Sequence, residues 1–135
     1  MVTVRRAIAD TSVFIGLEGR RLSGGQFADF EWGFSAVTLG VLRLCVLQDR
    51  DPETASRRLS TYQLAQRFEA IVIDEAVSEA WALLVSRLRA LGRKVPLNDS
   101  WIAATAIAHG IPIVTQDADF DLMPDVEVIK ILGSP

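Results

Sequence analysis

The feature that most constrains this chain is an alternation: short apolar runs of strand length are separated by longer segments whose apolar residues recur at helical spacing. Residues 4–9, VRRAIA, read as a short strand that ends at Asp10, and residues 12–18 as the start of a helix, so Asp10-Thr11-Ser12 falls in the turn between them. Asp51-Pro52-Glu53 opens another helix, with Asp51 as N-cap and proline in the first turn, carrying Leu59, Tyr62 and Phe68 on one side. Residues 70–73, AIVI, read as a buried strand. Asp74 then caps a helix in which Val77, Ala80, Trp81, Leu84, Leu88 and Leu91 follow 3.6-residue spacing. A turn-prone basic stretch, GRKVPLND, leads into SWIAATAIAHG, a helix closed by Gly110 as a left-handed C-cap, which puts Asn98 and Asp99 at its N-terminus. IPIV at 111–114 and VEVIKIL at 126–132 supply the last two strands. Such alternation predicts an α/β fold with an open, mostly parallel sheet and helices on both faces.

The rest of the composition narrows the class. The chain has 135 residues, half of them apolar, and no repeat or linker-like stretch, so one domain spanning 1–135 is expected. Cys45 is the single cysteine and cannot form an internal bridge; it reads as an inert packing residue in an apolar helix. The opening MVTVRRAIADTS lacks the apolar core of a secretion signal, which points to the cytoplasm. Every apolar run is broken well short of the roughly 20 residues that span a bilayer, so no membrane partner is expected. A net charge of −3 argues against a basic nucleic-acid coat protein, yet leaves room for a nuclease with a local acidic site. Arginines outnumber lysines twelve to two, which suits bidentate contact with carboxylates or phosphates.

In parallel sheets ligands bind beyond the C-terminal strand ends. Asp10 ends the first strand, Asp117 and Asp119 follow IPIV within QDADF, and Asp99 opens the helix before it, so all four can converge on one edge. Helix capping explains each aspartate taken singly. Convergence is a different matter, because carboxylates crowded into one crevice raise one another's pKa unless a divalent cation neutralises them. Oxygen donors of this kind favour Mg²⁺ or Mn²⁺, and such an ion can activate water for attack on a phosphodiester.

The segments AIADTSVFIGLE, SAVTLGVLRLCVL, VPLNDSWIAATAIAHGIPIVTQDADF and VEVIKIL, in that order and spacing, resemble those of PIN-domain ribonucleases, more narrowly the VapC-type toxins of toxin–antitoxin pairs. The resemblance implies a three-layer fold with a mostly parallel central sheet of four to five strands. It also implies a Mg²⁺-dependent endoribonuclease, with Mn²⁺ as a substitute, a VapB-type antitoxin as partner, RNA as substrate and a homodimer as assembly. Carried over by residue, Asp10, Asp99 and Asp117 hold the metal, Asp119 is a further catalytic acid nearby, and Thr11, Ser12 and Asn98 support them by orienting Asp10 or a bound water.

The family pattern places a glutamate in the middle helix where this chain has Val41. Val41 shares a helical face with Thr38, Cys45 and Gln48, the less apolar side, where an acid facing the site would fit. Valine neither ligates metal nor accepts a proton, so metal affinity, or positioning of the attacking water, is expected to suffer. A weakened natural paralogue, a substitution made for tolerable expression, or recruitment of another acid such as Glu31 would each account for it.

Arg20, Arg21, Arg93 and Lys94 are candidate contacts to RNA phosphates, against the plainer reading of solvated surface pairs. Trp101 reads as a core residue, and His109, the only histidine, as one favoured by a helix C-terminus; a two-histidine ribonuclease mechanism is thereby excluded. Trp32, Phe34 and the apolar excess over residues 39–47 exceed what one helix buries and point to a dimer or antitoxin groove. Three rivals stand beside the nuclease: a PIN-fold binding module without turnover, a receiver-type phosphoacceptor domain, and a D-x-D phosphatase. The receiver would need an acidic pair after the first strand, and the phosphatase would need its two aspartates there, whereas DAD falls late.

Overall fold

The computed structural model describes residues 5–19 and 29–131. Five strands, β1 (Arg5–Ala9), β2 (Phe30–Ser35), β3 (Glu69–Ile71), β4 (Ile113–Thr115) and β5 (Val128–Lys130), form one sheet in the order β3-β2-β1-β4-β5. Every pairing is parallel. Five helices connect them: α1 (Thr11–Glu18), α2 (Ala36–Gln48), α3 (Pro52–Ala65), α4 (Glu75–Ala90) and α5 (Leu97–His109), with a 3-10 turn at Ala118–Leu122. The expected α/β architecture and the four to five parallel strands are both present.

Strand alternation divides the core into two layers. On one face Ile8 and Ile113 pack with Leu84, Leu88, Ile102 and Phe120, under α4 and α5. On the other, Ala7, Ala9 and Val114 pack with Phe14, Phe34, Leu42 and Ala65, under α1, α2 and α3. Each large side chain fully buried here, Ile8, Phe34, Leu84 or Phe120, contributes about 1.5–3 kcal/mol. The same alternation decides where the polar ends point: Asp10 follows Ile8 by two residues and Thr115 follows Ile113 by two, so both are directed to the α5 side.

α5 is held where it is by an aromatic contact. The Trp81 and Trp101 rings stack with centroids 4.5 Å apart and 5° between planes. Trp81 Nε1 donates to Ser100 Oγ at 2.9 Å, and that hydroxyl donates to Leu97 O at 2.6 Å. Trp101 is half-buried against α4, in keeping with a packing role. Gly110 ends α5 with φ 64° and ψ 33°, the left-handed cap read from the sequence. Asp51 and Asp74 cap α3 and α4 by accepting from Thr54 N and Val77 N at 3.2 and 3.0 Å.

The structure corrects several local expectations. β2 has no counterpart in the sequence reading, which set Trp32 and Phe34 aside for a partner; Phe34 is fully buried in the core. Gly33 lets β2 approach β3, since a Cβ there would lie 3.3 Å from Ile71 Cδ1. The expected buried strand AIVI is instead a three-residue edge strand, Glu69–Ile71, that takes only Ala70 and Ile71 from that run; Val72 and Ile73 lie beyond it, 65% and 37% exposed, and β3 pairs only with β2. Phe68 lies past the end of α3 and Leu91 past the end of α4, so neither completes its helix's apolar face, and Leu59 is exposed as well. The last strand is shorter than VEVIKIL, and β4 is shifted to include Thr115.

Candidate metal centre

Three aspartates meet where the alternation rule places them. One carboxylate oxygen from each of Asp99, Asp117 and Asp119 lies within 4.8 Å of the others, and all three side chains are half-buried. Asp10 lies deeper, 1% exposed, at the C-terminal end of β1. Its backbone N–H donates to Val114 O at 3.0 Å, which extends the β1–β4 ladder to the site.

Local structure accounts for two of the four. Asp10 caps α1, its Oδ2 accepting from Ser12 N at 3.3 Å, and Asp117 caps the 3-10 turn, its Oδ1 accepting from Asp119 N at 2.9 Å. Capping does not account for Asp99. Pro96 occupies the N-cap position of α5, with no side-chain cap hydrogen bond, and Asp99 sits inside the first turn. Burial, the charges of Asp10 and Asp117, and a hydrogen bond shared with Asp119 push the Asp99 carboxyl up to about 7. Burial also raises Asp10, against hydrogen bonds from Ser12 and Thr115 that lower it.

A set of hard carboxylate donors that repel one another this strongly fits a divalent cation, which would supply the missing positive charge. Asp99, Asp117 and Asp119 would hold it, with Asp10 behind them. This grouping differs from the expected trio of Asp10, Asp99 and Asp117 by bringing Asp119 forward.

The supporting residues divide. The Thr11 hydroxyl pairs with that of buried Thr38 at 3.0 Å. Ser12 Oγ accepts from Gln116 N at 2.9 Å and lies 3.2 Å from Thr115 Oγ1. The Thr11 hydroxyl is thus engaged with Thr38, while the Ser12 amide and side chain both hydrogen-bond the Asp10 carboxylate. Asn98 is exposed in the first turn of α5. Val41 is half-buried one helical turn after Thr38, on the side of α2 that meets α1. Glu31 cannot replace an acid there. It pairs in register with Arg6, four residues ahead of Asp10 on parallel strands, about 13 Å towards the opposite sheet edge.

Of the basic candidates, Arg93 donates through Nη1 to Leu122 O at 3.0 Å, at the end of the 3-10 turn that carries Asp119, and Lys94 is exposed. Arg20 and Arg21 lie outside the described residues. Thr38, placed by the sequence on the site-facing side of the middle helix, and Thr115, which the sequence reading passed over, are both fully buried beside the site. The signal for Thr115 was its place as the polar end of an otherwise apolar run.

The chain has relatives among known proteins. Residues 7–126 match the PIN domain. The chain is 70% identical over 130 residues to Ribonuclease VapC4 of Mycobacterium tuberculosis (strain ATCC 25618 / H37Rv), covering 96% of this chain and all of that one. It is 36% identical over 133 residues to Ribonuclease VapC5 of the same strain, covering 96% and 98%. Its fold superposes with a TM-score of 0.82, at 30% identity over 93% of this chain and 98% of the other, on the crystal structure of VapBC-5, a toxin–antitoxin member from Mycobacterium tuberculosis. With a parallel sheet that gathers four aspartates at one edge and relatives matched along nearly its whole length, the chain belongs to the PIN-domain family, among its VapC ribonucleases.

Proposed function

We propose that this chain is a Mg²⁺-dependent endoribonuclease, able to use Mn²⁺ instead, and the toxin of a cytoplasmic toxin–antitoxin pair. The observation that carries the reading is the Asp99–Asp117–Asp119 cluster with Asp10 buried behind it. Its bound ion would stabilise charge at phosphorus and lower the pKa of water. The protein's own groups do the rest. Asp10 is fixed by its cap and by Thr115, and the Asp99 carboxyl, pushed up to about 7 by burial and by the neighbouring acids, would be drawn into its charged form beside a bound cation. Lys94, and the guanidinium nitrogens of Arg93 that Leu122 O does not engage, are suited to phosphates of the RNA. Ile15, Leu44 and Leu47, exposed by 42%, 51% and 65% on α1 and α2, offer an apolar surface for a VapB-type antitoxin or a second copy of the chain.

Purified protein with Mn²⁺ or Mg²⁺ is expected to cut RNA, and EDTA, Asp10→Asn or Asp99→Asn to abolish the cut. Val41 supplies neither ligand nor base, so Val41→Glu is expected to cleave at least about tenfold faster. Val41 is also the observation that favours a second reading, a PIN fold that binds antitoxin or RNA without turnover. Cleavage by Val41→Glu alone would identify the chain as a disabled nuclease. Inertness of both forms, with partner binding retained, would leave the binding module.

A further inference from the structure

Thr115 is fully buried at the C-terminal end of β4 and touches both strand ends that carry the acids. Its Oγ1 donates to Asp10 Oδ2 at 2.8 Å and accepts from Asp117 N–H at 2.9 Å. Ser12 Oγ, itself accepting from Gln116 N–H, lies 3.2 Å from the same atom. A threonine hydroxyl has one proton and two lone pairs. With the proton committed to the Asp10 carboxylate, one lone pair serves the Asp117 amide, and the Ser12 hydroxyl lies beside the remaining one.

We infer that Thr115 is a positioning residue for divalent-cation binding, its single hydroxyl fixing the Asp10 carboxylate and the Asp117 backbone relative to each other. The inference rests on the metal-dependent reading above and adds to it a residue that touches neither ion nor RNA. Ala9 and Val114 are the last cross-strand partners of β1 and β4, and the Asp10 N–H to Val114 O bond carries the ladder one residue further, to the start of the site. The Thr115 hydroxyl takes over at that point. Valine has nearly the same shape but would leave Asp10 Oδ2 short of a donor and the Asp117 N–H without an acceptor, both in a buried place. Two preset groups would become two that relax separately, and partners of this kind typically govern ligand affinity.

The test is Mn²⁺ titration by calorimetry, with free Mn²⁺ followed by electron paramagnetic resonance, on the wild type, Thr115→Val and Thr115→Ser. Circular dichroism and thermal melting report whether each variant is folded. Thr115→Val is expected to bind Mn²⁺ about 10–100-fold more weakly, and Thr115→Ser to stay within about threefold of wild type. Should the valine variant not fold, Thr115→Cys, close in volume but a weak donor, takes its place with the same expectation. Wild-type affinity in the folded valine or cysteine variant overturns the inference while leaving the metal site standing. Loss in the serine variant equal to that in valine also overturns it, because the hydroxyl would then not be what matters. A wild type that binds no Mn²⁺ overturns the inference together with the metal-dependent function.

Discussion

Asp99 stands in the first turn of α5 without capping it, half-buried among three other carboxylates. Its carboxyl titrates near 7 in the folded chain against 3.8 unfolded, so the native state holds the proton more tightly. Stability from this group is therefore greatest below the unfolded value and is lost as pH rises through about 7. Asp10, raised by burial, acts in the same direction. Fully realised, the Asp99 displacement would be worth about 4 kcal/mol; solvent screening of a half-buried group reduces it to about 1–2 kcal/mol. The metal-free protein is expected to melt about 3–6 °C higher at pH 5.5 than at pH 8. Asp99→Asn should remove most of that difference by raising the pH 8 melting temperature, which differential scanning calorimetry in EDTA would show. A melting temperature that rises from pH 5.5 to pH 8 would contradict this account of the site.

At the scale of elements, the site depends on how α5 is seated. The Trp81–Trp101 stack and the Trp81–Ser100 hydrogen bond fix the first turn of α5 against α4. Trp81→Ala should cost about 2–3 kcal/mol in urea unfolding and also weaken Mn²⁺ binding, because the turn bearing Asp99 loosens. Asp74→Ala removes the N-cap of α4 but no member of the acidic cluster; it should cost about 1 kcal/mol and leave Mn²⁺ affinity unchanged. Elements with caps and long helical periodicity, α3, α4 and α5, were legible in the sequence because capping and the 3.6-residue repeat are local signals. β2 was not, although Phe30, Trp32 and Phe34 alternate, because Glu31 and Gly33 interrupt the apolar run and only contact with β1 and β3 makes FEWGFS a strand. Asp10, Asp117 and Asp119 were legible as residues following strand ends, and Asp99 as one at a helix start. Thr115 was not, since its meaning depends on cross-strand register, Ala9 opposite Val114, between segments about a hundred residues apart.

For the molecule as a whole, the proposed cation binding would be linked to folding. An ion that binds only the native chain stabilises it by about 2.7 kcal/mol at one hundred times its dissociation constant. Saturating Mg²⁺ or Mn²⁺ should raise the melting temperature, EDTA should reverse it, and Asp99→Asn should respond little. Among the described residues no helix is long and apolar enough to cross a membrane. The strand order adds a consequence in time. β1, first of the described elements, sits at the centre of the sheet, yet Asp117, at the end of its β4 flank, comes 107 residues after Asp10. A ribosome adding about 5–20 residues per second needs roughly 5–20 s to travel that distance. Throughout that interval the emerging polypeptide lacks Asp117 and Asp119, so a cell translating this message is spared cleavage until synthesis has passed the fourth strand.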